Sequence, residues 1–271
     1  MRRIESRHNE RLREVGRLIA SSRDRRKSGR CVLEGAHLVD VYVDRVGPPE
    51  TLVVLDDARG RADVEALLQR VPANRTFVVT RARFAELATS PADVAVLAVV
   101  TTPKFATSTT ARFCLLIDDL QDPGNVGSII RTAAAAGIEQ VLLSSHSAFA
   151  WAPKVLRAAQ GAHFLTNVVE DVDLVGWATS FRAARGRVFA TVVGGARSLY
   201  DADLRGGVAF VIGSEGQGVS KALRENVDET VTIPMATGTE SLNAAAASAV
   251  VLFEAVRQRR CHADPAAAAR P

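Results

Sequence analysis

The chain has 271 residues, 47% of them hydrophobic and 24% charged, with a formal net charge of +4. That length and apolar share suffice for one large domain or two ordinary ones with a real core. The longest apolar runs fall far short of the ~20 residues a membrane-spanning helix needs. The charged N-terminus lacks the apolar region of a signal peptide, and Cys31, Cys114 and Cys261 are too few and too widely spaced for a disulfide framework or a zinc site. A cytoplasmic location is the expectation.

Charge is distributed unevenly along the chain. Residues 1–30 hold eleven Lys or Arg against four acids, a net of +7 that leaves −3 on the remaining 241 residues. A concentrated basic arm suits a polyanion, because neutralising phosphates supplies most sequence-independent affinity for nucleic acid. Arg7, Arg11, Arg23, Arg25, Arg26 and Lys27 are the expected nucleic-acid contacts. The arm is poor in aromatics, which argues against base stacking there. Leu12, Val15, Leu18 and Ile19 recur at helical spacing, so the same segment can also dock one face on the body of the protein.

From Cys31 onward, short β-branched runs alternate with helical patterns. Strands are expected at 31–33, 51–55, 76–79 and 94–100, with helices after Gly35, over 63–70 and over 83–88, which makes a small αβ domain. The polar segment Thr101–Thr110 breaks the periodicity. The expected organisation is an arm and small domain over 1–104, a linker over 105–111, a second domain over 112–260 and a frayed tail from 261. In the second domain, strands are expected at 113–117, 141–143, 164–169, 188–193, 208–212 and 231–234. A turn over 121–128 precedes a helix that carries Ile129 to Ala136 and stops at Gly137. Repeated strand, loop and helix units imply a mainly parallel sheet covered on both faces.

Two loops after strands concentrate polar groups and bare backbone, Gly213–Gly218 and Thr237–Asn243, at the place where open α/β sheets bind ligands. The spacing G-x-x-G-x-G of Gly213-Ser214-Glu215-Gly216-Gln217-Gly218 is not the dinucleotide fingerprint, and neither a P-loop nor a nucleophile elbow is present. The five histidines show no ligand spacing, so no metal is expected. Trp151, beside Pro153-Lys154, reads as a packing or dimer residue. In the last helix, expected over 241–260, Leu242, Ala246, Ala249, Phe253 and Val256 form one apolar stripe that fits either burial within the subunit or a dimer interface.

Three ordered segments spread over about 120 residues carry a resemblance more specific than any single glycine loop. Asn125-Val126-Gly127-Ser128-Ile129-Ile130-Arg131-Thr132-Ala133, then Ile212 to Gly218, then Ile233-Pro234-Met235 through Ser241-Leu242-Asn243 are similar to the three signatures of the SpoU/TrmH group of RNA ribose methyltransferases, in the SPOUT superfamily. Ser6–Asn9 followed by basic residues, and Leu33-Glu34-Gly35, resemble the small RNA-binding domain, related in fold to a class of ribosomal proteins, that many members carry. The likeness covers nearly the whole chain up to Cys261. It departs at Ser90-Pro91-Ala92-Asp93-Val94, where members often have a Thr-Pro-Gln-Gly-type turn, so no RNA contact is carried over to that turn.

The resemblance implies a C-terminal trefoil-knotted α/β domain, a homodimer, and S-adenosyl-L-methionine bound in the knot. Thr191, Val193, Gly194, Ile212, Gly213, Gly216, Ile233, Met235 and Leu242 are the cofactor contacts it implies, with glycines, Gly194-Gly195 among them, letting backbone approach the adenosine closely. It further implies methyl transfer to a ribose 2′-hydroxyl of structured RNA, with ribosomal RNA, 23S above all, favoured over transfer RNA because of the extra N-terminal domain. Arg131 is the family's candidate catalytic residue. A guanidinium is a poor proton acceptor, so Arg131 is read as clamping phosphate and stabilising a developing alkoxide. Asn125 orients Arg131 or the RNA, Glu215 fixes that network, and Ser241 and Asn243 hold ribose or backbone, although Ser241 can also serve as a helix cap. Two other readings differ in what they require: a non-catalytic RNA-binding protein has no use for Arg131, Glu215 and Asn243, and a small-molecule methyltransferase has none for the basic arm.

Overall fold

The protein is described here by a computed structural model that covers residues 1–89, 94–194 and 197–263. The turn at Ser90–Asp93, Gly195 and residues 264–271 of the expected tail lie outside the described residues. The elements run, in chain order, β1 Arg2–Ile4, α1 Glu10–Ala20, α2 Ser22–Ser28, β2 Arg30–Glu34, α3 Ala36–Arg45, β3 Thr51–Leu55, α4 Ala62–Arg70, β4 Thr76–Val79, α5 Arg81–Ala85 and β5 Val96–Thr101. They continue with β6 Phe113–Ile117, α6 Pro123–Ala136, β7 Gln140–Leu143, α7 Pro153–Ala159, β8 Asn167–Val169, α8 Leu174–Ala183, β9 Arg187–Thr191, β10 Arg197–Ser198, β11 Val208–Ile212, α9 Lys221–Arg224, β12 Glu229–Thr232 and α10 Ala244–Ala263. The chain divides into two compact units, one made of Met1–Lys104 and Phe149–Leu165, the other of Phe105–Ala148 and the chain from Thr166 onward.

The first unit is built on a five-stranded sheet in the order β1-β4-β3-β5-β2. Its basic N-terminal segment is docked, not loose: Leu12, Val15 and Leu18 of α1 are buried, as their spacing requires of an amphipathic helix. The strand β1 was not legible, because Arg2 and Arg3 give it no apolar alternation; it is held as an edge strand by parallel pairing with β4. Arg25, expected to reach RNA, is instead turned inward. Its Nη1 donates to the carbonyls of Leu18 and Ile19 at 2.6 and 2.9 Å, satisfying the orphan C=O groups at the end of α1, and its guanidinium stands over Phe149.

Glu34 is buried, and its carboxylate accepts hydrogen bonds from the backbone and hydroxyl of Thr89 and pairs with Arg157 of α7 at 3.7 Å. Trp151 is a packing residue of this unit, tilted against His163 with ring centroids 4.9 Å apart.

The second unit carries a seven-stranded sheet, β10-β12-β9-β11-β6-β7-β8, in which every neighbouring pair is parallel. β6 and β11 lie adjacent near its middle, and all five residues of each are buried, which is why they read as uninterrupted apolar runs. One face of the sheet is covered by Trp177, Ala178 and Phe181 of α8. α6 and α10 pack against each other, through faces that bury Val126, Ile129, Ile130 and Ala133 on one and Ala244, Ser248, Val251, Leu252 and Ala255 on the other.

Several boundaries differ from the sequence reading: the strands expected at 164–169, 188–193 and 231–234 are Asn167–Val169, Arg187–Thr191 and Glu229–Thr232, and two helix starts shape the site. α6 starts at Pro123, six residues before Ile129, because Asp122 caps it by accepting from the Asn125 N–H at 2.7 Å and proline is at home in the first helical turn. α10 begins at Ala244, with the Asn243 carboxamide oxygen accepting from the N–H groups of Ala245 and Ala246 at 2.9 and 3.3 Å. Asn243, and not Ser241, is therefore its cap.

His163 is fully buried, its Nε2–H donating to the Ala150 carbonyl at 2.8 Å while Nδ1 has no partner among the described residues. Burial lowers its pKa from 6.5 to about 4. The native ring thus stays neutral where the unfolded chain takes up a proton, so stability falls as pH drops through the window from 6.5 to about 4 and carries no such slope above it. His163→Phe is expected to be less stable at pH 7 yet to lose less of its remaining stability by pH 5 in urea titrations; equal losses in both proteins would refute the assignment.

Candidate active site

Because the strands of the second sheet are parallel, their C-terminal ends lie on one edge, and register brings the ends of β12, β9, β11 and β6 side by side: Val231 pairs with Thr191, Val211 with Ala190, and Ile212 with Ile117. The loops leaving β9, β11 and β12 enclose a cavity of about 590 Å³. Within the wall, Thr191 and Val193 follow from β9, Ile212 to Val219 from β11, and Thr232, Ile233, Met235 and Glu240 to Asn243 from β12, closed by Ala244 and Ala247 of α10.

The loop after β11 is shaped by one close approach. A Cβ on Gly213 would stand 2.1 Å from the Gly218 carbonyl carbon and 2.2 Å from the Val219 nitrogen, distances no side chain survives. The loop therefore folds back on its own start, Ser214 and Gly218 exchanging backbone hydrogen bonds of 3.1 and 2.9 Å, with Gly218 at φ +67°. Asp118, buried at the end of β6, receives the Ser220 N–H at 2.7 Å and fixes the loop's exit.

Glu215 stands at the turn of this loop. Asn125, in the first turn of α6, donates through Nδ2 to Glu215 Oε1 at 2.6 Å, and Asn243 donates through its own Nδ2 to Asn125 Oδ1 at 3.0 Å. Three residues separated by up to 118 positions thus form one chain of hydrogen bonds in which every amide orientation is dictated by its neighbours. Asn243 has both ends occupied, the oxygen by the α10 N-terminus and the nitrogen by Asn125.

Of the sequence-derived residues, the structure brings Asn125, Glu215 and Asn243 into contact. Ser241, Thr191, Val193, Ile212, Gly213, Gly216, Ile233, Met235 and Leu242 all line the cavity. Gly194, at φ +68°, stands beside Val193 but outside the lining. Arg131 is likewise outside it. It is exposed on α6, about 9 Å along the helix axis and about 240° around from Asn125, and its side chain makes no hydrogen bond or ion pair among the described residues. Sequence reasoning missed Arg224 and Glu240, both in the cavity wall, because a lone Arg in a short helix and a lone Glu in a loop carry no spacing signal.

The wall combines backbone, hydroxyls and apolar side chains. Val193 and Leu242 are large hydrophobic residues left 64% and 40% exposed, and Thr191 Oγ1 is buried without a hydrogen-bond partner among the described residues. An apolar face beside an unsatisfied hydroxyl suits a flat, partly polar ligand such as a nucleoside, and the volume falls within the ~300–1,000 Å³ of small-molecule sites.

On the first unit, a wider hollow of about 1060 Å³ runs beside α1, lined by Arg2, Arg11, Arg13 and Arg17 with Asn9, Glu10 and Glu14. Among the described residues no cluster of His, Cys, Asp and Glu could hold a metal ion, and no helix is long and apolar enough to cross a membrane.

Comparison with known proteins agrees with this geometry. The family model described as the SpoU rRNA methylase family matches residues 112–253. The chain is 32% identical, over 93% of its length and 98% of the relative's, to the Bacillus subtilis 23S rRNA (guanosine(2553)-2'-O)-methyltransferase RlmP. It is 31% identical, over 92% of each chain, to an uncharacterized tRNA/rRNA methyltransferase of Synechocystis. Among solved structures, the SpoU methyltransferase AviRb from Streptomyces viridochromogenes in complex with AdoMet superposes with a TM-score of 0.81 at 28% identity, covering 92% of this chain and 98% of that one. The chain belongs to the SpoU rRNA methylase family.

Proposed function

We propose that this protein transfers a methyl group from S-adenosylmethionine to a ribose 2′-hydroxyl of structured RNA, with 23S ribosomal RNA as substrate. The observation that carries the reading is the cavity at the ends of β9, β11 and β12, with the Asn125–Glu215–Asn243 chain at its edge. The ribosomal preference draws on the named activity of the Bacillus subtilis relative, aligned over nearly its whole length.

When bound, the cofactor supplies a methyl already activated by its sulfonium. The residues around it then have to hold, orient and shield. Ile212, Gly213, Gly216, Ile233 and Met235 offer backbone and apolar surface to the adenosine, and Thr191 Oγ1 gains the partner it lacks. The hydrogen-bonded Asn125, Glu215 and Asn243 fix the loop after β11 against the first turns of α6 and α10, so the ribose side of the site is set before substrate arrives. Ser241, exposed in the wall with its hydroxyl unengaged, holds ribose or RNA backbone. Arg131 acts from the RNA side: an exposed, unpaired guanidinium clamps a phosphate in two-point fashion and stabilises negative charge on the attacking oxygen.

The first unit is the substrate-binding part in this proposal. Arg7, Arg11, Arg23, Arg26 and Lys27 are exposed, and the hollow beside α1 offers a basic track for phosphates. Arg25 is not included, since its guanidinium is spent on α1. The proposal also includes a trefoil-threaded second unit, consistent with β11 inserting beside β6, and a homodimer. The stripe read from the sequence as core or interface faces away from α6: Leu242, Ala246 and Phe253 are exposed, Phe253 by 47%. A hydrophobic face of this kind on a helix whose other face is already packed fits a second copy.

Three measurements test these statements. Purified protein and labelled cofactor should place one 2′-O-methyl group in protein-free or partly assembled 23S RNA, mapped by reverse transcription, and Arg131→Lys should reduce turnover on the order of 10²-fold at similar RNA affinity; full turnover by the lysine variant would sink the clamp. Asn125→Asp puts a second carboxylate against Glu215 and should weaken cofactor binding and cost about 1 kcal/mol of stability, whereas adding Glu215→Gln restores a donor–acceptor pair and should recover most of both. Phe253→Glu should shift the protein toward monomer in light scattering; an unchanged mass would place any dimer contact elsewhere.

A further inference from the structure

Two charged side chains in the cavity wall, those of Arg224 and Glu240, make no ion pair among the described residues. Arg224 ends α9, and Glu240 follows the turn in which the Thr239 N–H donates to the Ala236 carbonyl. Both line the cavity, and neither side chain makes a hydrogen bond or ion pair among the described residues. The acid nearest to Arg224 in sequence, Glu225, is paired with Lys221. The third charged group of the wall, Glu215, is engaged by Asn125 at 2.6 Å. The cavity thus holds one uncommitted cation and one uncommitted anion among apolar groups, hydroxyls and backbone.

A nucleoside alone has no use for that pair, because it carries neither a carboxylate nor an ammonium. A nucleoside with an amino-acid tail has one of each. We propose that Arg224 binds the α-carboxylate and Glu240 the α-ammonium of the cofactor's methionine moiety, so that the two residues select for the intact amino-acid tail. The inference rests on the cofactor reading above and assigns two positioning residues to it. A guanidinium matches a carboxylate with two parallel N–H···O bonds, which a lysine ammonium replaces only in part. Both side chains are exposed, so water and salt screen the interaction and the effect is tens-fold in affinity at most.

The test pairs a truncated ligand with truncated side chains. Full-length protein is titrated calorimetrically with S-adenosylhomocysteine, which has the tail, and with 5′-methylthioadenosine, which lacks it. Arg224→Ala should weaken S-adenosylhomocysteine about 10-fold or more and leave methylthioadenosine within about 2-fold, with Arg224→Lys in between; Glu240→Gln should weaken only the tailed ligand, by a smaller factor. Raising salt should narrow the gap between the two ligands in the wild type and not in Arg224→Ala. Equal weakening of both ligands, or of neither, overturns the assignment while leaving the cofactor reading intact. Failure of the wild type to bind either nucleoside overturns the cofactor reading itself, and this inference with it.

Discussion

The backbone of Gly213 lies too close to Gly218 and Val219 for any side chain to fit between them. That contact turns the loop after β11 into a short hairpin instead of an open crossover. The hairpin sets Glu215 at a fixed point above the sheet edge, where the carboxylate meets Asn125 from a helix 90 residues earlier in the chain. A longer or looser loop would carry the same residues without specifying where the carboxylate sits. The geometry of the site is thus a backbone property first and a side-chain property second.

The same economy governs the helix ends. Asn125 and Asn243 occupy the N-terminal turns of α6 and α10, which pack side by side. Asn243 spends its oxygen on the start of α10 and its nitrogen on Asn125, so the residue that begins one helix also ties it to the other. The two helices pack against each other, and their N-terminal turns come within hydrogen-bonding reach through Asn125 and Asn243.

Much of this was legible from residue order alone, for physical reasons that differ by element. The strands β6 and β11 have the bounds read from the sequence because a strand buried on both faces is a run of apolar residues with sharp ends, Arg112 and Asp118 for β6 and Gly207 and Gly213 for β11. The end of α6 at Gly137 was legible because a left-handed residue is needed there, at φ +81°. Its beginning was not, since Gln121 to Ser128 is as rich in turn formers as a loop; the Asp-Pro pair that nucleates it is a weaker signal than the glycines around it. Arg25 reads as one more arm cation, and only tertiary structure shows that it caps α1. Arg224 and Glu240 are illegible in the same way, because a charge becomes informative only when its surroundings fail to neutralise it.

The helix α10 shows how far such reading reaches. Spacing identifies Leu242, Ala246, Ala249, Phe253 and Val256 as a stripe, but a stripe has no direction until the helix is placed. In place, the buried face proves to be the other one, built from Ala244, Ser248, Val251, Leu252 and Ala255, so α10 carries apolar residues on both sides and is satisfied on one. Leu242 belongs to the open stripe and to the cavity wall at once. One side chain thus serves two surfaces, a double use that spacing by itself does not reveal.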